Sequence, residues 1–571
     1  MNKLNIDGQF LTDKKRISEE LNKFFCNIGE ELQSKIHNSN ENCYQNFLPA
    51  KNDNSMFLGP VNYKEVLGEI KKLKIKKAPG PDGISNKILL ICPKIFAFHL
   101  TKIYNHYISI GEYPTALKIA KVIPIYKNKG PRDQPGNYRP ISLLSVFNKV
   151  FERLICNQLL NFLDRYHIFY NFQYGFRKLH STSLALIEIT DTIRRLVDEK
   201  NVVFSLFIDF KKAFDTVDHA ILLYKLNHYG IRGHANKFFN SYLSNRSQFT
   251  TVNGISSNPR KINCGVPQGS VLGPILFLIY INDLHRCVNQ ALTRLFADDT
   301  NMILSNKDPV ILKRQSLLQT KNLIKWCESN KLTINWDKTH YLLFHSKNKR
   351  INIDFSSLSV DGNIIKRQFS TKYLGLHVDE MFSWKKHTDH IYKSLLRFYG
   401  IFNQVKCSVN KKIIRQLYFS YIHSRIKYGI EVYGSCAAKF LTRLQTIQNG
   451  LLKVILRLDR RHSTNKLHRT LRILQVKDIY KVQIIQFANM CLRKKSIPYF
   501  NDYINVRAIP YEVRNLTLNA DFGRINIGFL SVKNTSSREY DSLPAALKEK
   551  GKFLNFKKHL ATHFLSFYNE D

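Results

Sequence analysis

The chain has 571 residues, 44% of them hydrophobic, which is long enough for roughly two to four folded domains and too apolar for a disordered polymer. Its 87 Lys and Arg against 44 Asp and Glu give a net charge of +43 spread along the chain, which calls for a polyanionic partner, nucleic acid first and an anionic membrane surface second. No apolar run approaches the ~20 residues of a membrane-spanning helix, MNKLNIDGQFLTDKK lacks a signal-peptide core, and the 10 Cys fall singly, so an intracellular chain without spanning helix, disulfide framework or zinc site is expected.

In chain order, residues 1 to 62 read as a helical lead-in and linker. They hold a helix with Ile17, Leu21, Phe24, Phe25, Ile28 and Leu32 on one face, then an Asn- and Asp-rich loop from His37 to Ser55. YKEVLGEIKKLKIKKAPGPDGIS, residues 63 to 85, predicts an amphipathic helix running into the basic cluster Lys71 to Lys77 and broken at Pro79-Gly80-Pro81-Asp82-Gly83. The break is either a helix stop or a loop beside a phosphate chain. IAKVIPIY, residues 119 to 126, is a β-rich run, and Lys127, Lys129, Arg132 and Arg139 follow on a hairpin-like arm. That arm is either a solvated basic turn or a cradle for a triphosphate, whose oxygens need several cations. Residues 143 to 170 are expected to be helical, as is the stretch after Thr182. Between them QYGFRKLHST mixes aromatic rings with Arg177, Lys178 and His180, which suits a single nucleic-acid strand.

VVFSLFIDF, residues 202 to 210, is the nearly continuous apolar run of a strand buried on both faces, and it delivers Asp209 at its end. The following helix ends at Gly230 and has Asp215 or Asp218 for its N-terminus. Asp209 is thereby left for other work, and Asp215 reads as structural. Pro267-Gln268-Gly269-Ser270 precede a helix from about Pro274. Small residues there admit another backbone or a base pair, or simply punctuate a helix start. LTRLFADDTNMILS reads as a β-hairpin with Asp298 and Asp299 at its turn. Beyond it come a helix over 310 to 330, a strand region around Lys338, and a tight turn at Tyr373-Leu374-Gly375. From about 385 the chain is basic and helical, with Ile414, Leu417, Tyr418, Tyr421 and Ile422 as a buried stripe. His377, His387 and His390 lack companion ligands and read as surface histidines, and the Asn-x-Thr match at Asn515 means little without secretion.

Two adjacent carboxylates on a turn repel unless something neutralises them, and a hard divalent cation such as Mg²⁺ is the natural partner. For a lone Ala-Asp-Asp the ordinary Asp-rich turn is the commoner explanation. If the strand ending in Asp209 joins the same sheet, three carboxylates converge, as nucleotidyl transfer by two ions ~3.5–4 Å apart requires. Neighbouring strand residues point opposite ways, so Asp298 carries more weight than Asp299.

The ordered set KKAPGPDGIS, NYRPISLLS, QYGFRKLHST, FIDFKKAFDTVDH, GVPQGSVLGPILFLIYINDL, FADDT and KYLGL resembles the reverse transcriptase of non-LTR retrotransposons, near the jockey group. The flanking NKFFCNIG, DSLPAALKE and FKKHL fit the same resemblance. It implies an α+β right-hand polymerase fold, with fingers and an antiparallel-sheet palm over residues 63 to 380 and a basic helical thumb and C-terminal extension over 381 to 571. It also implies that Asp209, Asp298 and Asp299 bind two Mg²⁺ ions, or Mn²⁺ in their place. Lys127 and Arg139 would contact the incoming triphosphate, and Phe214 would be the aromatic gate against a 2′-hydroxyl. Gln268 and Gly269 would track the nascent pair and template, Lys338 would protonate the pyrophosphate leaving group, and Tyr373, Leu374 and Gly375 would form the primer grip. The implied partners are an RNA template, a DNA primer or nicked target DNA, and dNTPs, with no membrane; the implied location is the nucleus.

Members of that family carry an endonuclease domain upstream, for which residues 1 to 62 leave no room, and the sequence shows no Cys/His knuckle and no RNase H constellation. EYDSLP stands where relatives have Trp-Asn before the Ser. These departures point to a truncated or domesticated copy. An active RNA-directed DNA polymerase is the first expectation, with a catalytically silent RNA-binding protein and a maturase-like splicing factor as alternatives.

Overall fold

The computed structural model describes residues 3–6, 8–36, 43–349, 351–405, 410–459, 461–506, 518, 523–551 and 555–568, so part of the Asn-rich loop and Asn515 lie outside the described residues. Helices and mixed sheets alternate along the chain, an α+β architecture. Two compact units divide it discontinuously: Met1–Phe176 with Ile208–Thr300 and Leu318–Lys338, and Arg177–Phe207 with Asn301–Leu317 and Thr339–Asp571.

In the first unit the β-branched run Ile119–Tyr126 pairs antiparallel with Tyr138–Leu143, setting Ile125 opposite Arg139. It pairs parallel with Arg246–Val252 on its other side. The long helix α1 (Lys14–Ser34), capped by Asp13, covers this sheet. Its Ile17, Leu21 and Phe25 join Leu4, Val122, Tyr138 and Val252 in one apolar core. The buried face of α1 is turned slightly from the stripe expected from apolar spacing: Ser18, Asn22 and Gly29 are buried, while Phe24, Ile28 and Leu32 are half-buried. Asn22 tolerates burial because its groups are used. Its Nδ2 donates to the carbonyls of Gln248 (3.2 Å) and Asn258 (3.0 Å), and its Oδ1 accepts from the Thr250 hydroxyl (3.2 Å).

The helix Tyr63–Lys71 starts in a capping box of Asn62 and Glu65 and stops before the rest of the basic cluster, which is therefore not helical. The Pro-Gly-Pro-Asp-Gly loop beyond it is fastened to the start of a later helix, Val146–Arg165, where the capping Ser145 hydroxyl donates to Asp82 (2.5 Å). That helix ends at Arg165, short of the expected 170. Deeper in the unit, Lys225 on the helix His219–His228 is fully buried against the equally buried Asp283 (2.7 Å), and its Nζ also donates to the Tyr280 carbonyl (2.6 Å).

The second unit is built on strands in the order Ser357–Val360, Asn363–Arg367, His340–Phe344, Val202–Ile208 and Asp299–Asn306. Every residue of Val202–Ile208 is buried, as its apolar run predicts. His340–Phe344 pairs antiparallel with it, Tyr341 opposite Leu206, and parallel with Asn363–Arg367. The Asn301 amide ties the last strand in, donating to Ser205 Oγ (2.9 Å) and the Leu206 carbonyl (3.1 Å). On the helix Thr182–Asp198, Asp191 and Asp198 accept the backbone N–H groups of Val532, Lys533, Arg524 and Ile525, which docks the C-terminal part of the chain on that helix.

Two expectations are corrected here. His387 is not a surface residue: it is buried beside Tyr433 and its Nδ1 accepts the His377 N–H. Tyr421 leaves the expected stripe and is exposed, because residues Tyr418–His423 form a π-helical turn that rotates it outward while Tyr418 and Ile422 stay buried. Among the described residues no helix is long and apolar enough to cross a membrane.

Removing one partner of the Lys225–Asp283 pair leaves an uncompensated buried charge. Lys225→Met is expected to destabilise the first unit by about 3–5 kcal/mol, and Lys225→Met with Asp283→Leu to recover most of that loss, as read by urea denaturation. In the second unit, burial holds the His387 imidazole down at about 3. A histidine whose folded pKa lies below its unfolded value of about 6.5 contributes stability above that value and loses it as pH falls toward the folded pKa. Denaturation midpoints should therefore drop between pH ~6.5 and ~4, and His387→Gln should flatten the drop while lowering stability at neutral pH.

Candidate active site

The strand Val202–Ile208 ends just before Asp209 because the chain next runs beside residues 333–335. Lys211 N–H donates to the Thr333 carbonyl (2.8 Å) and Asn335 N–H to that of Asp209 (2.7 Å). This brings two side chains onto one oxygen of the Asp209 carboxylate: Asn335 Nδ2 at 2.8 Å and Lys338 Nζ at 3.0 Å from Oδ2. Lys338 stands in a turn ahead of the strand His340–Phe344, with 67% of its side chain exposed. Asn335 was not foreseen, and nothing in a lone Asn of LTINWDK marks it.

Asp298 and Asp299 sit where expected, at the tight turn between the strands Leu292–Phe296 and Asp299–Asn306. The turn needs Ala297 at φ +54°, a costly conformation for a residue with a side chain. Gln173, buried, holds it: its Oε1 accepts the N–H groups of Ala297 (3.0 Å) and Gly175 (2.9 Å). The backbone around Gln173 also pairs with Leu295. The first part of QYGFRKLHST thus braces the aspartate turn, a role its aromatic and basic composition concealed.

Burial pushes the Asp298 carboxyl up, and Asp209 adds to the rise, while its own backbone N–H, Arg139 and Lys338 oppose it. Asp299 keeps contact with solvent, yet burial first and then Asp298 and Asp209 push it up to about 6. The three carboxylates therefore repel one another through space. They are coupled without being drawn together: among the described residues no three His, Cys, Asp or Glu side chains already form a metal-holding group.

A second set of like charges lies within the same unit. Burial, then Lys212, Lys338 and Arg139, pull the Lys127 ammonium down to about 8, although its Nζ donates to the Gly136 carbonyl (2.8 Å). Lys212 is pulled down by burial as well. Of the four cations expected on the arm, Lys127 and Arg139 join this group, whereas Arg132 lies over the Tyr126 ring at 5.2 Å. Lys212 was missed, though the Lys pair directly after FIDF was a visible signal.

Phe214 stacks on Phe277 with ring centroids 4.5 Å apart and meets the edge of Phe176 at 6.5 Å. Asp218, not Asp215, caps the helix His219–His228, accepting the Ile221 N–H (3.0 Å). Asp215 instead receives the Gln268 amide at 2.7 Å. The Gln268 carbonyl accepts the Ser142 N–H (2.8 Å), and Gly269 at φ +131° lies so close to that residue that an added Cβ would stand 2.5 Å from the Ser142 carbonyl. Gln268 and Gly269 are thereby pinned to the Lys127–Arg139 arm.

The remaining candidates lie in the second unit. Ser370–Tyr373 pairs with Leu376–Asp379, so Leu374 and Gly375 form a two-residue turn with φ +43° and +88°. The Tyr428 hydroxyl donates to the Leu374 carbonyl (2.6 Å), and Tyr373 meets the Phe207 ring at 5.2 Å. Tyr428 is a further residue that sequence gave no reason to select.

Residues 125–378 match the family described as reverse transcriptase (RNA-dependent DNA polymerase). The chain is 30% identical over 463 residues to a probable RNA-directed DNA polymerase from transposon BS of Drosophila melanogaster, covering 78% of this chain and 50% of that protein. It is 30% identical over 465 residues to the RNA-directed DNA polymerase from mobile element jockey of the same species, covering 77% and 49%. A probable RNA-directed DNA polymerase from its transposon X-element is 27% identical over 439 residues, covering 74% and 47%. The chain spans about half the length of these curated relatives. The matched segment runs through the Lys127 arm, the three aspartates and the Tyr373 turn, so this part of the chain is a reverse transcriptase domain similar to those of jockey-like non-LTR retrotransposons.

Proposed function

We propose that the chain extends a DNA 3′-hydroxyl on an RNA template by nucleotidyl transfer from dNTPs. The carrying observation is the pair of opposed charge groups in the first unit. Three coupled carboxylates need cations, and Lys127, Arg139, Lys212 and Lys338 need a polyanion. A metal-bound nucleoside triphosphate satisfies both. In this reading the first unit holds the fingers and palm chemistry, and the basic helices from residue 381 form the thumb and its extension.

The donor set fits two divalent ions of the Mg²⁺ class, since all three side chains offer hard oxygens and two have raised pKa values that an ion would relieve. Asp209, Asp298 and Asp299 would hold them. Such ions supply a more acidic primer 3′-hydroxyl and neutralise charge on the transferring phosphoryl group. Asn335 holds Asp209 through a neutral contact and so orients the carboxylate without competing for its charge. Lys338, paired with Asp209 here, is in position to carry a proton toward the leaving pyrophosphate once that pairing is released. Lys127, Arg139 and Lys212 bind the triphosphate oxygens. Phe214, braced by Phe277, closes the space a 2′-hydroxyl would occupy. Gln268 Nε2 is committed to Asp215, so it reaches a nucleotide through Oε1. The Tyr373-Leu374-Gly375 turn, braced by Tyr428, is the primer grip. A nucleus-located protein acting at nicked target DNA follows from the same family reading.

Three measurements test this. Purified chain should incorporate dNTPs on a primed poly-RNA template only with Mg²⁺ or Mn²⁺, and Asp298→Ala should lower kcat by at least about a thousandfold, consistent with loss of a two-metal site; residual activity near the wild type would remove the metal assignment. Mg²⁺ should raise the Tm of the wild type at neutral pH and leave that of Asp209→Asn nearly unchanged. Affinity for an RNA–DNA hybrid should fall by about 10³-fold or more between 50 and 200 mM salt, as release of many counterions requires. Salt-sensitive binding with no incorporation by the wild type would favour the silent RNA-binding alternative.

A further inference from the structure

The helix α1 lies ahead of every motif that marks the polymerase, yet it touches the segment that carries Phe214. Gly29, buried on α1, packs directly on the backbone of Asp215. A Cβ at position 29 would run into the Asp215 carbonyl oxygen and Cys264 Sγ. One turn further along α1, Gln33 Nε2 donates to the Thr216 carbonyl (2.8 Å). One turn earlier, the Phe24 ring lies under Lys212 Nζ at 5.6 Å. From the other side, Val266 N–H donates to the Phe214 carbonyl (2.8 Å) and the Cys264 thiol to that of Asp215 (3.4 Å). The segment from Lys212 to Thr216 is thus clamped between α1 and the Cys264–Gln268 loop.

We propose that α1, through Gly29 and Gln33, positions Phe214 and so sets how strongly the site discriminates dNTPs from rNTPs. The proposal rests on the reading of Phe214 as the sugar gate. Its physical basis is distance along the chain: Asp215 is the next residue after Phe214, so displacement of its carbonyl moves the aromatic ring. The segment has somewhere to go. A cavity of about 40 Å³ lies beside it, lined by Phe25, Cys26, Asp215, Arg246, Cys264 and Gln268. Pressure from α1 is therefore relieved by a shift of the segment into that space, and loss of the Gln33 contact by its relaxation. Gly29 and Gln33 are positioning residues, since neither touches the reacting atoms.

The test measures kcat/KM for a dNTP and the matching rNTP on a primed poly-RNA template, using the full chain. The variants are Phe214→Val, Gln33→Ala, Gly29→Ala and Lys23→Ala, the last on the exposed face of α1. Phe214→Val should erase most of the preference for dNTP. Gln33→Ala and Gly29→Ala should change it by about tenfold, the scale expected when a binding group is misplaced by a fraction of an ångström to an ångström. Lys23→Ala should leave both constants unchanged. If Phe214→Val shifts the preference but Gln33→Ala and Gly29→Ala reduce both substrates equally, α1 is merely structural and the proposal falls while the gate stands. An unchanged preference in Phe214→Val removes the gate reading and the proposal with it. Should Gly29→Ala not fold, Gln33→Ala decides alone, because it deletes a single hydrogen bond.

Discussion

Crowding of like charge is the constraint on which the first unit depends. Burial is the largest push on each shifted group; Asp209 then helps push the Asp298 carboxyl up, Asp298 and Asp209 help push Asp299 up, and Lys212, Lys338 and Arg139 help pull the Lys127 ammonium down. Neither group could persist on propensity alone. Each is held by backbone that is fixed for other reasons: the carboxylates by a buried strand and a braced turn, the cations by a two-stranded arm. The two groups partly answer each other, as the Lys338–Asp209 pair shows, and that pair is exposed enough to be exchanged at modest cost.

Much of this was legible in the sequence because the reactive groups sit on strong local signals. A continuous apolar run ends in Asp209, a β-alternation breaks at Asp298-Asp299, and a β-rich run leads into Lys127. What the sequence hid was the support. Gln173, Asn335, Tyr428 and Gln33 act through single hydrogen bonds to residues far away in the chain, and a hydrogen bond between distant residues leaves no periodicity. The turned face of α1 has the same origin. Apolar spacing favoured Ile28 and Leu32, but Asn22 is buried because three neighbouring groups satisfy it, and Gly29 because a backbone must pass there. His387 was misjudged likewise, since burial of an imidazole depends on one N–H from His377 that only the fold supplies.

The supports share a chemistry that the crowding explains. Asn335 on Asp209, Gln173 on Ala297, Gln268 on Asp215 and Gln33 on Thr216 are all neutral amides. A lysine or arginine in place of Asn335, Gln268 or Gln33 would bind its oxygen more tightly, because charge-assisted hydrogen bonds are roughly twice as strong as neutral ones, and in place of Gln173 it could not accept the Ala297 N–H at all. Beside Asp209 it would also offset the repulsion among the three aspartates. A carboxylate would do the reverse to the group of Lys127, Arg139 and Lys212. An amide fixes geometry and leaves the field to the reactive groups. Substituting Asn335 by Asp or Lys should then damage the site more than substituting it by Ser, although Ser makes the weaker contact, because the cost lies in the added charge and not in the lost bond.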